Sequence, residues 1–160
     1  MGISMHVLDT LIHFSYRILN GARIAYWFIV RPRTAGAHCL IEHDGAFLLI
    51  RNSYGLRLWT LPGGGIRHGE TPAEAVTREV REEVGISLAH VESLGSYVST
   101  AEFKTDTVYC FYGSVPNDAY TIDNGEVVQA EWFPADALPE ARTLVAENTV
   151  RMLREHTRSD

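Results

Sequence analysis

The stretch that decides the fold runs from Gly64 to Ile86 and reads GGIRHGETPAEAVTREVREEVGI. Its pattern predicts a helix with both ends marked. Thr71 stands where an N-cap belongs, Glu74 three residues later completes a capping box, and Pro72 falls in the first turn, where its missing N–H costs nothing. Gly85 takes the position that favours left-handed backbone after a helix. On a helical wheel of about 100° per residue with Val76 at zero, Ala73, Val80 and Val84 fall within about 80° on one side and form the stripe to be buried. Glu83, Glu79 and Glu82 fall at about −20°, −60° and −120°, so three carboxylates share one arc beside that stripe and aim at the domain. Glu74, Arg78 and Arg81 fall on the far side, where i,i+4 pairs such as Glu74 with Arg78 are expected to give ordinary surface support.

Three like charges within one helical turn repel, and each loses hydration at a cost unless a cation neutralises it. Hard divalent ions do this with oxygen ligands and fill their remaining positions with water and phosphate oxygens. A solvated helix that happens to be rich in Glu is the competing explanation, and spacing alone leaves the two level. The glycines just before the helix favour the metal, because a loop without side chains lets backbone groups approach a ligand.

Working outward, Trp59-Thr60-Leu61 reads as a strand entering a constrained loop at Pro62 to Gly65. Upstream, Ala37 to His43, the Asp44-Gly45 turn and Ala46 to Arg51 make a hairpin signal. Downstream come strand-like runs at Ser96 to Thr100, Thr107 to Val115 and Val127 to Phe133, then a helical segment from Glu140 to Arg154. The order predicts an α/β fold with a mixed sheet between helices. Residues 5 to 29 read as an amphipathic helix closed by Pro32, so we expect an N-terminal helical extension over 1–33 and one domain over 34–160. That extension is expected to pack on its own domain or on a second copy, which leaves a homodimer through the N-terminal segment open.

A chain of 160 residues, 46% hydrophobic and 21% charged, has the composition of a folded globular domain, which excludes disordered and collagen-like classes. The net charge of −6 argues against a nonspecific grip on a nucleic-acid backbone. Cys39 and Cys110 lack metal-knuckle spacing and are expected as reduced core residues. The longest apolar run near the start, Ile24 to Val30, is too short to span a bilayer, and no signal-peptide pattern precedes it, so the expected location is cytoplasmic.

The residues of the deciding stretch resemble the signature of the Nudix hydrolase family. Gly64, Glu70, Arg78, Glu79, Val80, Glu82, Glu83, Gly85 and Ile86 stand at every fixed position of that motif, and Leu61-Pro62-Gly63-Gly64 resembles its usual entry. The resemblance covers roughly residues 35 to 139 and implies an α/β/α sandwich. It also implies Mg2+- or Mn2+-dependent hydrolysis of a pyrophosphate bond in a nucleoside diphosphate derivative or nucleoside triphosphate, by water attack at phosphorus. By the same resemblance Glu79, Glu82 and Glu83 hold metal with the carbonyl of Gly63. Glu70 then pairs with Arg78 to fix the loop that begins at Gly64.

The resemblance leaves the general base to one of the helix glutamates or to Glu126, which stands roughly in the loop where some relatives place a fourth carboxylate, with Glu131 competing. Arg67, Tyr54 and Trp59 are candidate substrate contacts, against exposure for Arg67, loop for Tyr54 and strand packing for Trp59. The substrate markers of ADP-ribose, dinucleoside polyphosphate and NADH hydrolases do not appear, which leaves the nucleotide unspecified. The expected partner is a small-molecule nucleotide rather than a nucleic acid. Two alternatives stand beside this reading: a catalytically silent Nudix-fold nucleotide-binding or regulatory module, and removal of pyrophosphate from RNA ends.

Overall fold

The computed structural model describes residues 33–53, 57–100, 105–122 and 125–158. The N-terminal helical extension expected before Pro32, and Tyr54, lie outside these residues. The elements are β1 (Arg33–His43), β2 (Ala46–Asn52), β3 (Gly63–Gly65), α1 (Pro72–Val84), β4 (Glu92–Ser99), β5 (Thr105–Ser114), β6 (Val127–Pro134) and α2 (Leu144–His156). Two compact units are distinguished, and both helices belong to the larger one, Ala35–Tyr97 with Thr107–Asp160. In the smaller unit the Thr34 hydroxyl donates to Asp106 Oδ1 at 2.7 Å.

The strands form a mixed sheet in the order β4-β5-β1-β2-β6, with β3 paired to β1. Asp44 and Gly45 both take positive φ, 46° and 77°, the backbone a tight hairpin turn needs, and they set the antiparallel register Ile41 to Leu48. Alternation along β1 and β2 then sends side chains to two faces. Ala37, Cys39, Ile41, Leu48 and Ile50 pack with Ala75, Val76, Val80 and Val84 of α1. Leu40, Phe47 and Leu49 pack on the other side with Ala146 and Val150 of α2. The expected α/β/α layering follows from this division. Both cysteines are free and buried, and burial pushes the Cys39 thiol up to about 12.

Several boundaries differ from the sequence reading. Trp59 and Thr60, expected in a strand, form only isolated bridges to Arg142 and Ile50, and β4 begins at Glu92, four residues before the expected Ser96. The glycines expected as a loop form β3, because without side chains they can lie against β1: a Cβ on Gly63 would sit 2.2 Å from the Ala37 carbonyl oxygen. The last helix begins at Leu144 and not at Glu140. The backbone of residues 141–143 is engaged by Trp59, whose N–H donates to Ala141 O at 2.9 Å and whose carbonyl accepts from Thr143 N at 2.8 Å. Thr143 then caps α2.

Candidate active site

Helix α1 begins and ends where its sequence requires. The Thr71 side chain accepts from Glu74 N while the Glu74 carboxylate accepts from Thr71 N at 2.8 Å, and Gly85 closes the helix at φ 66°. These capping bonds hold the Glu74 carboxyl below its ordinary range and direct it away from Arg78. The expected Glu74–Arg78 surface pair is therefore corrected. The Arg78 side chain is only 11% exposed, because the loop after β3 folds over that side of the helix and brings Glu70 onto it. Arg78 Nε donates to Glu70 Oε1 at 2.7 Å and Nη2 to Glu70 Oε2 at 2.9 Å, a bidentate pair, and Nη2 also reaches the Gly65 carbonyl at 3.0 Å. A wheel drawn for an isolated helix carries no information about such a loop. The wheel also left Ala75 off the buried stripe, because it falls at about −100° among the carboxylates, yet the structure buries it completely in the core between α1 and the sheet.

Arg78 extends the clamp to the other carboxylates: Nη1 donates to Glu79 Oε1 at 2.5 Å and to Glu82 Oε2 at 3.2 Å. The hydrogen bond from Arg78, reinforced by the Arg67 backbone N–H, pulls the Glu70 carboxyl down to about 2. Glu79 lies against the backbone of Gly64, where an added Cβ would be 2.8 Å from its carboxyl carbon. The Glu82 side chain is 45% exposed and meets Arg67 Nη2 at 3.3 Å. Arg67 is itself largely exposed.

Glu83 is 4% exposed and accepts from Gly63 N at 2.8 Å. Burial raises its carboxyl to about 8; the Gly63 N–H opposes the rise, and the charges of Glu79, Glu126 and Glu82 add to it. A buried carboxylate facing three others is a site that a cation would relieve, and every side-chain donor in the group is a hard oxygen. Among the described residues no three acidic, His or Cys side chains converge closely enough to grip an ion as they stand, since Arg78 occupies Glu79 and Glu82.

Glu126 is exposed at the entry to β6, and its turn is tied to the end of β2: Ser53 N donates to Glu126 O at 2.8 Å and Ser53 Oγ to Gly125 O at 3.0 Å. Glu131 pairs with Leu49, so its side chain leaves the sheet on the α2 face, away from α1. Trp59 is buried on that same face, with Phe133 edge-on at 4.8 Å and the Arg51 guanidinium 4.3 Å above the ring. The structure thus brings Gly63, Gly64, Glu70, Arg78, Glu79, Glu82 and Glu83 together with Arg67 at their margin. Trp59 and Glu131 stand apart from them. One residue escaped the sequence reading: Asn52 lies opposite Val127 on the α1 face, with a buried Oδ1 that has no partner. Alternation from Leu48 and Ile50 already puts Asn52 on this face, and the register shift between Arg51 and Asn52 is what brings Val127 opposite it.

Comparison with known proteins shows what the chain as a whole is similar to. A sequence model of the NUDIX domain matches residues 30–155. A Bacillus subtilis (strain 168) protein provisionally named 8-oxo-dGTP diphosphatase is 30% identical over 106 residues, 66% of this chain and 70% of its own. The NAD-capped RNA hydrolase NudC of Mycobacterium tuberculosis (strain ATCC 25618 / H37Rv) is 30% identical over 114 residues, 69% of this chain but only 36% of its own length. Among solved structures, a MutT protein from Methanosarcina mazei Go1 superposes with a TM-score of 0.68 at 27% identity, covering 79% of this chain and 97% of that one.

Proposed function

The chain belongs to the Nudix family of hydrolases, and from that premise we propose a Mg2+- or Mn2+-dependent pyrophosphohydrolase that cleaves an anhydride bond of a nucleoside triphosphate or nucleoside diphosphate derivative. The observation that carries the reading is Glu83, a buried carboxylate held by the Gly63 N–H and facing Glu79, Glu82 and Glu126. Glu79, Glu82 and Glu83, with the carbonyl of Gly63, would hold the metal. When bound, such an ion neutralises the pyrophosphate, polarises the reacting P–O bond and acidifies a water. Arg78 and Glu70 position the glutamates by tying the loop after β3 to α1. Glu126 takes the proton of the attacking water, and the new P–O bond forms as the bond to the leaving phosphate breaks. Arg67, exposed beside Glu82, is placed to meet a substrate phosphate.

The names of the relatives set the substrates to try. NudC acts on NAD-capped RNA by its name, but this chain spans about a third of its length, so that activity enters only as one arm of a panel. The test is product release from 8-oxo-dGTP, dNTPs, NTPs, nucleotide sugars, ADP-ribose and capped or triphosphorylated RNA, with Mg2+, Mn2+ or EDTA. Metal-dependent cleavage of one class is expected, and Glu82→Gln and Glu83→Gln should each lower kcat about 1,000-fold or more while the protein stays folded. Parent-like turnover in both variants would refute the assigned roles. Absent turnover, with nucleotides still raising Tm, would make the chain a binding module instead.

A further inference from the structure

The side of α2 carries a cleft of about 300 Å³ lined by Ala135, Asp136, Leu138, Val150 and three arginines, Arg142, Arg151 and Arg154, with Glu147 at its edge. Each guanidinium bonds to a neutral acceptor: Arg142 Nη1 to Pro139 O at 2.8 Å, Arg151 Nη2 to Asn148 Oδ1 at 3.1 Å, and Arg154 Nη2 to Ala135 O at 3.4 Å. Asp136 and Glu147 line the same space, yet among the described residues neither comes within ion-pair distance of an arginine. In particular Glu147 and Arg151 stand four residues apart on one helix, the spacing that ordinarily pairs them, and Arg151 bonds to Asn148 instead. The cleft therefore holds three cations against two carboxylates in a chain whose net charge is −6.

A second cavity of about 280 Å³ adjoins it. It shares Ala135, Asp136, Val150 and Arg154, and is otherwise walled by Phe47, Leu153 and Thr157. One half of the combined groove is thus cationic and the other largely apolar. Guanidinium forks suit phosphate oxygens, and the apolar half suits the ring system or carbon frame attached to a phosphate. Both cavities lie along α2, and neither is lined by Glu79, Glu82 or Glu83 of α1.

From this arrangement we infer that the α2 groove is a second ligand site, binding a phosphate group on Arg142, Arg151 and Arg154. The same phosphate chemistry is offered by a nucleoside monophosphate or by free phosphate. The inference does not depend on the hydrolytic reading, because it concerns different residues.

The full-length protein, labelled with nitrogen-15, would be titrated with AMP, inorganic phosphate and adenosine in the presence of Mg2+. AMP has no anhydride to cleave. AMP is expected to shift the amides of Ala135, Asp136, Glu147, Arg151 and Arg154, and to bind more tightly than phosphate, which lacks a group for the apolar half. Adenosine is expected to leave these amides unmoved. Arg151→Glu with Arg154→Glu should weaken AMP at this groove about tenfold or more, while turnover of the best substrate stays within about twofold. Arg151→Lys with Arg154→Lys should retain part of the binding and guards against a folding defect in the reversed pair. Phosphate binding equal to that of AMP would identify free phosphate as the ligand, with the arginines still as its site. Amide shifts confined to α1 and β3, or unchanged binding in the charge-reversed variant, would overturn the proposal.

Discussion

Gly63 and Gly64 are adjacent, and each lacks a side chain for a steric reason, but the atoms a side chain would meet are different. At Gly63 the backbone has φ 145°, and a Cβ would lie 2.2 Å from the Ala37 carbonyl oxygen, so both strain and backbone collision oppose any substitution. At Gly64 the obstacle is the Glu79 carboxyl, 2.8 Å away at the end of a flexible side chain. Gly63→Ala should therefore lose about 3 kcal/mol or more of stability, read as a lower urea midpoint. Gly64→Ala should keep most of its stability but lower kcat/KM about 100-fold, because it moves a proposed ligand by about an ångström. Full activity in Gly64→Ala would remove Glu79 from the site. At this scale the sequence was readable where chemistry follows residue type: Glu79, Glu82 and Glu83 stood out as one arc. Arg78 was not readable from the wheel, since its environment is set by Glu70 and Gly65, which reach it from outside the helix.

The ends of α1 were legible because its stop and start signals are local: a capping box at Thr71 and Glu74, and a left-handed Gly85. The start of α2 was not, because Trp59, about eighty residues upstream, claims the backbone that the periodicity assigned to the helix. Between β3 and α1 the decisive contact is the bidentate pair of Glu70 and Arg78, and its pH dependence follows from the lowered carboxyl. Glu70 titrates near its ordinary 4.5 when unfolded and at about 2 in the fold. Its contribution to stability is therefore whole above pH 4.5 and is lost as the pH falls through 2. The difference in Tm between the parent and Glu70→Gln should be constant from neutral pH down to about pH 5 and should shrink below that. A difference that persisted unchanged to pH 2.5 would mean that the pair does not depend on the Glu70 charge.

For the whole molecule, the sheet is a partition, and it decides which carboxylates can serve one reaction. Alternation assigns each side chain of β1, β2 and β6 to a face: Ala130 and Trp132 go with the α1 core, Phe133 with the α2 core, and Glu131 with Phe133. The sequence reading named Glu126 beside a helix glutamate as the base, with Glu131 competing; Glu126 stands just before β6 and Glu131 inside it. Topology separates them, because Glu126 sits at the strand's entry, where its charge bears on Glu83, while Glu131 leaves on the far side of the layer. The strand pattern was enough to predict the layers, but separating the two candidates for the base required the register that joins Leu49 to Glu131. Glu126→Gln should lower kcat about 100-fold or more with little change in KM, and Glu131→Gln should leave both within about twofold. The reverse result would mean that the reacting water approaches from the α2 side, and it would remove Glu83 together with Glu126 from the reaction, because a carboxylate cannot serve a centre on the other side of a packed sheet.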